Sequence, residues 1–445
     1  MHNFCVKLDK RVLGVKMLIK FSVKNFKSIK EEQILDLSAD SRDKTNIQEK
    51  AFSSEKKFIP PILKSAAIFG ANASGKSNVV SAIQTMRDIV IGSPRVKNSG
   101  GFQIKPFMLS DNSVNEPTSF CIVVLIDNIV YDYSFSINKK IVEDERLYVY
   151  ESSYSRRLFE RTYDSSKKEY NYKTSSYFKG QKKVYIDTTR PDVLLLSNAV
   201  ALNNEQLKPL FMWFVNGLII LNEQEVPNNN LIVQYNKSPE YKKELLKFLE
   251  SADISISDFH IRKTEAVSLF NSFPIIQPIF IHKAKQGSAE FNWNEESLGT
   301  RKILQLSGPM LVVFSKPVTL IVDELENSLH PSIVEFIVRQ FYNSSKKQQM
   351  SQLVFTTHCE SLLCNISNRK NTEENSLFRR DQIWFVNKTK EQSSSLVPLS
   401  AYKPRKQESV FDGYRKGRYS GIPIISEYVP KQRIDIDINN FSENL

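Results

Sequence analysis

Cysteine is scarce in this chain of 445 residues: Cys5, Cys121, Cys359 and Cys364 are the whole supply, and they are scattered. Four thiols so placed build no disulfide framework. Cys359 and Cys364 form at most half of a metal site, because no second pair accompanies them. Reduced thiols are the expectation. Long apolar runs are also missing. None reaches the ~18 residues that cross a bilayer, and "PLFMWFVNGLIIL" is broken by Asn216 and Gly217, so it reads as core. The opening "MHNFCVKLDKRVLGVK" is charged throughout and lacks the apolar segment of a secretory signal. A cytoplasmic location without membrane contact is expected. There is no long heptad run, internal repeat or low-complexity segment, which excludes an extended coiled coil. Acidic residues are in deficit, 49 against 61 Lys and Arg, for a net charge of +12. That bias suits nucleic acid, an acidic partner or simply a basic, well-solvated surface.

What is present is an ordinary globular composition, 41% hydrophobic and 25% charged, long enough for two or three domains' worth of core. Residues 1–16 read as a leader, either disordered or upstream of a natural start at Met17. "MLIKFSVKNFKSI" then alternates like a strand. "FCIVVLIDNIVYDYSFSI" (120–137) reads as a hairpin turning at Asp127-Asn128. Residues 151–190 hold ten Lys/Arg against five Asp/Glu, with six tyrosines interleaved. Such a segment suits phosphate contacts and base stacking, or an exposed twisted hairpin. Residues 199–252 read as mostly helical, and 259–266 and 275–293 as strands.

The chemistry is concentrated in three places. "AIFGANASGKSNVV" is an apolar strand, then Gly70-Ala71-Asn72-Ala73-Ser74-Gly75-Lys76-Ser77-Asn78, then a helix. This is the spacing of a phosphate-binding P-loop: backbone N–H groups cradle phosphates, Lys76 faces the β/γ-phosphates and Ser77 reaches Mg2+. "VTLIVDELENSLHP" is a β-branched strand ending in Asp323 and Glu324, an Mg2+ ligand beside a general base that polarises water. "LVFTTHCESLL" is a further strand ending at His358, placed to hydrogen-bond a γ-phosphate. Finally "ESLGT" offers Ser297 and Gly299 at a helix start, either an ordinary N-cap or an anion contact.

In that order these elements resemble the ABC ATPase superfamily. The likeness is to its soluble RecF/SMC-type members, and most of all to phage-defence ATPases related to OLD and abortive-infection proteins. The opening "VKNFKSIKEEQILDL", "DELENSLHP", "RRDQIWFVNKTKEQSSSLVPLS" and "GYRKGRYSGIPII" carry it, over roughly 17–425. Ser297 and Gly299 match the family's signature loop, although Leu298 replaces a glycine and Thr300 the final polar residue. The resemblance implies an α/β ABC-ATPase head, with a mixed sheet, flanking helices, an antiparallel β portion and an inserted mixed helical/β region. Its parts would be 17–150 and 266–400, with 151–265 as the insertion and 401–445 as a tail. It also implies ATP and Mg2+ as ligands. Asn25, Lys27 and Ser28 would lie near the nucleotide, and Ser297 and Gly299 would press onto ATP held by a second subunit, so that the chain works as at least a dimer. OLD-type proteins carry a nuclease announced by a Glu-Gly strand. None follows His358, although Asp435 and Asp437 form an Asp-x-Asp. A separately encoded effector or toxin is therefore the expected partner. A RecF-like DNA-binding ATPase and, less well matched, a transporter's ATP-binding subunit are the alternatives.

Overall fold

The computed structural model describes residues 14–43, 47–94, 101–222, 238–267, 272–342, 350–366, 376–405 and 408–423. Most of the leader, and Asp435 and Asp437, lie outside these residues.

Among the described residues eighteen strands follow one another. The first ten are β1 (Lys16–Lys24), β2 (Gln33–Asp36), β3 (Ala51–Phe52), β4 (Ile62–Leu63), β5 (Ser65–Gly70), β6 (Thr118–Ile126), β7 (Ile129–Ile137), β8 (Val142–Tyr150), β9 (Arg156–Asp164) and β10 (Glu169–Thr174). Then come β11 (Leu218–Leu221), β12 (Asp258–Val267), β13 (Ser272–Ala284), β14 (Gly287–Asn292), β15 (Thr319–Val322), β16 (Gln352–Thr357), β17 (Ile383–Lys388) and β18 (Ser394–Pro398). A seven-stranded antiparallel sheet runs β10-β9-β8-β7-β6-β1-β2, and a six-stranded sheet runs β11-β15-β16-β5-β17-β18. Within the second sheet all neighbours are parallel except β17 with β18. Strands β12–β14 form a separate antiparallel sheet, and β3 pairs with β4. The architecture is the mixed α/β one expected.

Strands β5, β15 and β16 are buried along their whole length, which explains the apolar runs 66–69, 320–322 and 353–355 within them. Their two faces serve two cores, because successive side chains of a strand point to opposite sides. Ile68, Ile321 and Val354 face the antiparallel sheet and the helix Lys76–Gly92. Ala67, Phe69, Leu320, Val322, Leu353 and Phe355 face the helices Pro239–Ser251, Leu298–Ser315 and Pro331–Gln340. The six-stranded sheet is thus the middle layer. Gln352 ties it to the antiparallel sheet: its amide accepts from Leu18 N (3.0 Å) and donates to Leu18 O (2.9 Å) and Leu63 O (2.8 Å).

The hairpin at 120–137 turns where the sequence places it. Asp127 and Asn128 both have positive φ (49° and 67°), the two-residue turn whose twist matches the strands. "LIIL" at 218–221, expected as part of a helical stretch, is instead the edge strand β11, paired with β15. A short apolar run does not by itself distinguish helix from strand. The boundary expected between 150 and 151 runs through a hairpin, since β8 pairs with β9 (Leu147 opposite Phe159). Residues 156–174 therefore extend the N-terminal antiparallel sheet.

The same topology divides the basic segment. Lys167 and Lys168 lie in the turn between β9 and β10. Lys179, Lys182 and Lys183 follow β10 and lie near the start of β9, where Ser175 N donates to Leu158 O (3.3 Å) and Arg156 stacks over Tyr177. A nine-residue strand at ~3.3 Å per residue separates the two groups by about 25 Å. Most of the tyrosines are spent on the fold. Tyr163, Tyr170 and Tyr172 pack on one another, Arg161 covers Tyr170, and Tyr185 is buried. Only Tyr154 (79%) and Tyr177 (49%) are widely exposed. The two lysine groups thus lie at opposite ends of the β9–β10 hairpin, with Lys173 on β10 between them.

Candidate nucleotide site

The P-loop leaves β5 and enters the helix Lys76–Gly92 through Gly75, whose φ of 107° is open to glycine and strained for other residues. Lys76 is almost wholly buried, and its ammonium lies 3.0 Å from Gly70 O, 3.2 Å from Ala71 O and 2.6 Å from His358 Nε2. Burial lowers its pKa, opposed by the carboxylates of Glu324, Glu326 and Asp323. Asn72 and Ser77 are exposed, and the Ser74 hydroxyl is buried without a partner.

The acidic loop follows β15. Thr356 holds it: its hydroxyl donates to Asp323 Oδ1 (2.6 Å) and accepts from Glu324 N (2.8 Å). Strand β16, which carries Thr356 and then His358, lies between β15 and β5. This order brings the acids and the P-loop lysine to the same end of the sheet. Glu324 turns through a left-handed backbone (φ 49°), and Lys302 Nζ donates to its carbonyl (3.2 Å). Its carboxylate is 3.9 Å from His358 Nε2. Burial, and then the Lys76 charge, lowers the pKa of His358, against the pull of Glu326 and Asp323. A neutral imidazole accepting from the ammonium satisfies both groups. Glu326 accepts from the backbone N–H of His358, and its second oxygen is buried without a partner. Glu326 lies inside the "DELENSLHP" stretch, and only the fold brings it to His358.

Ser297 caps the helix Leu298–Ser315, accepting from Thr300 N (3.1 Å), and Leu298 beside it is 63% exposed. Gly299 packs closely: a Cβ there would sit 3.0 Å from Ser328 O, so a side chain would press on that loop. The start of this helix therefore lies against the acidic loop, and Ser297 faces outward.

Several side chains grouped with the nucleotide by resemblance have partners within the chain. Asn25 is buried, and its amide donates to Ser113 O (2.7 Å) and Glu116 O (2.9 Å) and accepts from Phe107 N (2.9 Å); it anchors the 107–117 loop. Lys27 lies over the Phe26 ring, and its pKa is lowered by burial and by Lys105. Ser28 accepts from Asn78 Nδ2 (2.6 Å) and sits 2.7 Å from Ser394 Oγ, so Ser28 and Asn78 brace the P-loop from behind. Thr356 and Ser394 had no role in the sequence reading. Nothing local marks them, since their partners lie 33 and 320 residues away.

The site fits a triphosphate with its magnesium ion. It has a buried lysine held by exchangeable carbonyl contacts, an unpartnered Ser74 hydroxyl, N–H groups at a helix start, and a tethered aspartate. Among the described residues no helix is long and apolar enough to cross a membrane.

Comparison with solved structures finds distant likenesses to SMC heads. One is an SMC head bound to the C-winged helix domain of ScpA (TM-score 0.41, 15% identity, covering 87% of this chain and 99% of that one). Another is the SMC head domain from Thermotoga maritima (TM-score 0.37, 13% identity, 86% and 98% covered). A third is an SMC head with an extended coiled coil bound to the C-terminal domain of ScpA, from Pyrococcus furiosus (TM-score 0.35, 14% identity, 87% and 98% covered). No curated protein matches the chain. A family model does match, over residues 65–363, from the P-loop strand to just past His358. The chain therefore belongs to the family described as "AAA domain, putative AbiEii toxin, Type IV TA system".

Proposed function

We propose that this chain binds ATP with Mg2+, hydrolyses it in sites shared between two copies, and uses its nucleotide state to control a separately encoded effector in anti-phage defence in the cytoplasm. The observation that carries the reading is the convergence of Asp323 and Glu324, after β15, and His358, after β16, on Lys76, which follows the neighbouring β5.

Lys76 exchanges its contacts with Gly70 O, Ala71 O and His358 for oxygens of the β- and γ-phosphates. Its burial makes that charge count for more than it would in water. Ser77 and Asp323 would hold Mg2+, which neutralises charge on those phosphates. Glu324 takes the proton of the attacking water, and His358, neutral and freed from Lys76, hydrogen-bonds the γ-phosphate. The outward-facing Ser297 supports a contact with triphosphate held by a second chain. The family's description supports a toxin–antitoxin or abortive-infection setting. The split of the basic segment weighs against a RecF-like clamp on DNA.

Lys76→Ala tests the reading. ATP binding followed by calorimetry should be lost while the circular dichroism of the fold is retained. Unchanged ATP affinity would remove the central claim.

A further inference from the structure

Ser394, at the start of β18, is buried against the back of the P-loop. Its N–H donates to Ser28 O (2.7 Å) and its hydroxyl donates to Ser74 O (2.6 Å). A hydroxyl has one hydrogen, so the 2.7 Å contact between Ser394 Oγ and Ser28 Oγ must be donated by Ser28. Ser28 in turn accepts from Asn78 Nδ2 (2.6 Å). The donors therefore run one way, from Asn78 through Ser28 and Ser394 to the carbonyl of Ser74.

That carbonyl belongs to the Ser74–Gly75 peptide. In a trans peptide C=O and N–H point in opposite directions. Drawing Ser74 O back toward Ser394 turns Gly75 N–H forward, to the side where an anion is cradled. The fit is close: a Cβ on Gly75 would lie 2.1 Å from Ser394 Oγ and 2.7 Å from Ser28 Oγ. Gly75 at φ 107° is the one residue that lets the peptide take this orientation beside two hydroxyls.

We propose that Ser394 and Ser28 are positioning residues that preset the Gly75 N–H as a phosphate donor, so that a hairpin near the C-terminal end of the chain sets the nucleotide affinity of a loop more than 300 residues earlier. This rests on the ATP reading above.

The test is titration with a fluorescent ATP analogue, alongside steady-state hydrolysis, on full-length wild type, Ser394→Ala, Ser28→Ala and the double variant. Ser394→Ala should weaken binding about fivefold, the usual scale of one hydrogen bond, and leave the saturated rate within about twofold. Both singles break the same chain, so the double variant should be no weaker than the worse single. The nucleotide-free protein should melt cooperatively no more than a few degrees below wild type, which separates positioning from loss of fold. Should Ser394→Ala not fold, Ser28→Ala carries the same expectation. Wild-type affinity in the single variants, or strictly additive losses in the double, overturns the proposal. A wild-type protein that binds no analogue overturns the ATP reading itself, and this one with it.

Discussion

Thr356 offers the most direct check on the geometry of the site. It is fully buried, and its one hydroxyl serves two groups, donating to Asp323 Oδ1 (2.6 Å) and accepting from Glu324 N (2.8 Å). Valine has nearly the same shape and no oxygen. Thr356→Val therefore strands a half-buried N–H and one oxygen of a buried carboxylate. Each such orphan costs about 1–3 kcal/mol, so we expect a loss of about 2–4 kcal/mol. That is a large share of the about 5–15 kcal/mol that holds a typical domain together. Thr356→Ser keeps the oxygen and gives up one buried methyl, worth about 1 kcal/mol. Thermal unfolding of the three proteins should rank wild type above serine above valine, with the valine variant several degrees below wild type. Hydrolysis should follow the same rank, because the hydroxyl holds both the proposed Mg2+ ligand and the backbone of the proposed base. A valine variant that melts and turns over like wild type would refute the role given to this hydrogen-bond pair.

Other expectations follow from the same geometry. Glu324→Gln keeps the shape and removes the base, so hydrolysis should fall about 10²-fold or more while ATP still binds, and mass measurement should find an ATP-held dimer accumulating. Turnover at the wild-type rate would place water activation elsewhere, His358 being the nearest alternative. Mixing Lys76→Ala chains with Ser297→Arg chains yields heterodimers with one doubly damaged site and one intact site. Partial recovery of hydrolysis supports shared sites, and full activity of Ser297→Arg alone counts against them. Replacing Lys167, Lys168, Lys182 and Lys183 with Glu should leave basal hydrolysis intact. If the wild-type protein nonetheless binds bare DNA at about 50 mM salt, with a steep loss as salt rises, counterion release at phosphates is at work and the DNA-binding alternative returns.

The sequence by itself determined the local machinery, because each part is contiguous. The Gly70-to-Ser77 spacing fixes a strand-loop-helix around phosphate, the run Thr319–Val322 before Asp323 and Glu324 fixes a buried strand with acids at its tip, and Asp127-Asn128 fixes a hairpin turn. Such signals are carried by backbone preference and by the period of burial, and they read the same in any tertiary setting. Which atoms meet was decided only in three dimensions. Asn25, Ser28 and Asn78 have side chains suited to a nucleotide, yet the fold spends them on backbone and hydroxyl partners. Thr356 and Ser394 carry no local mark, yet they hold the acidic loop and the P-loop. The lysines of 151–190 are neighbours in sequence, and one strand length parts them in space. A residue type states what a side chain can donate or accept; its partner is chosen by strand order and register, which bring Ser28 and Ser394 together from 366 residues apart.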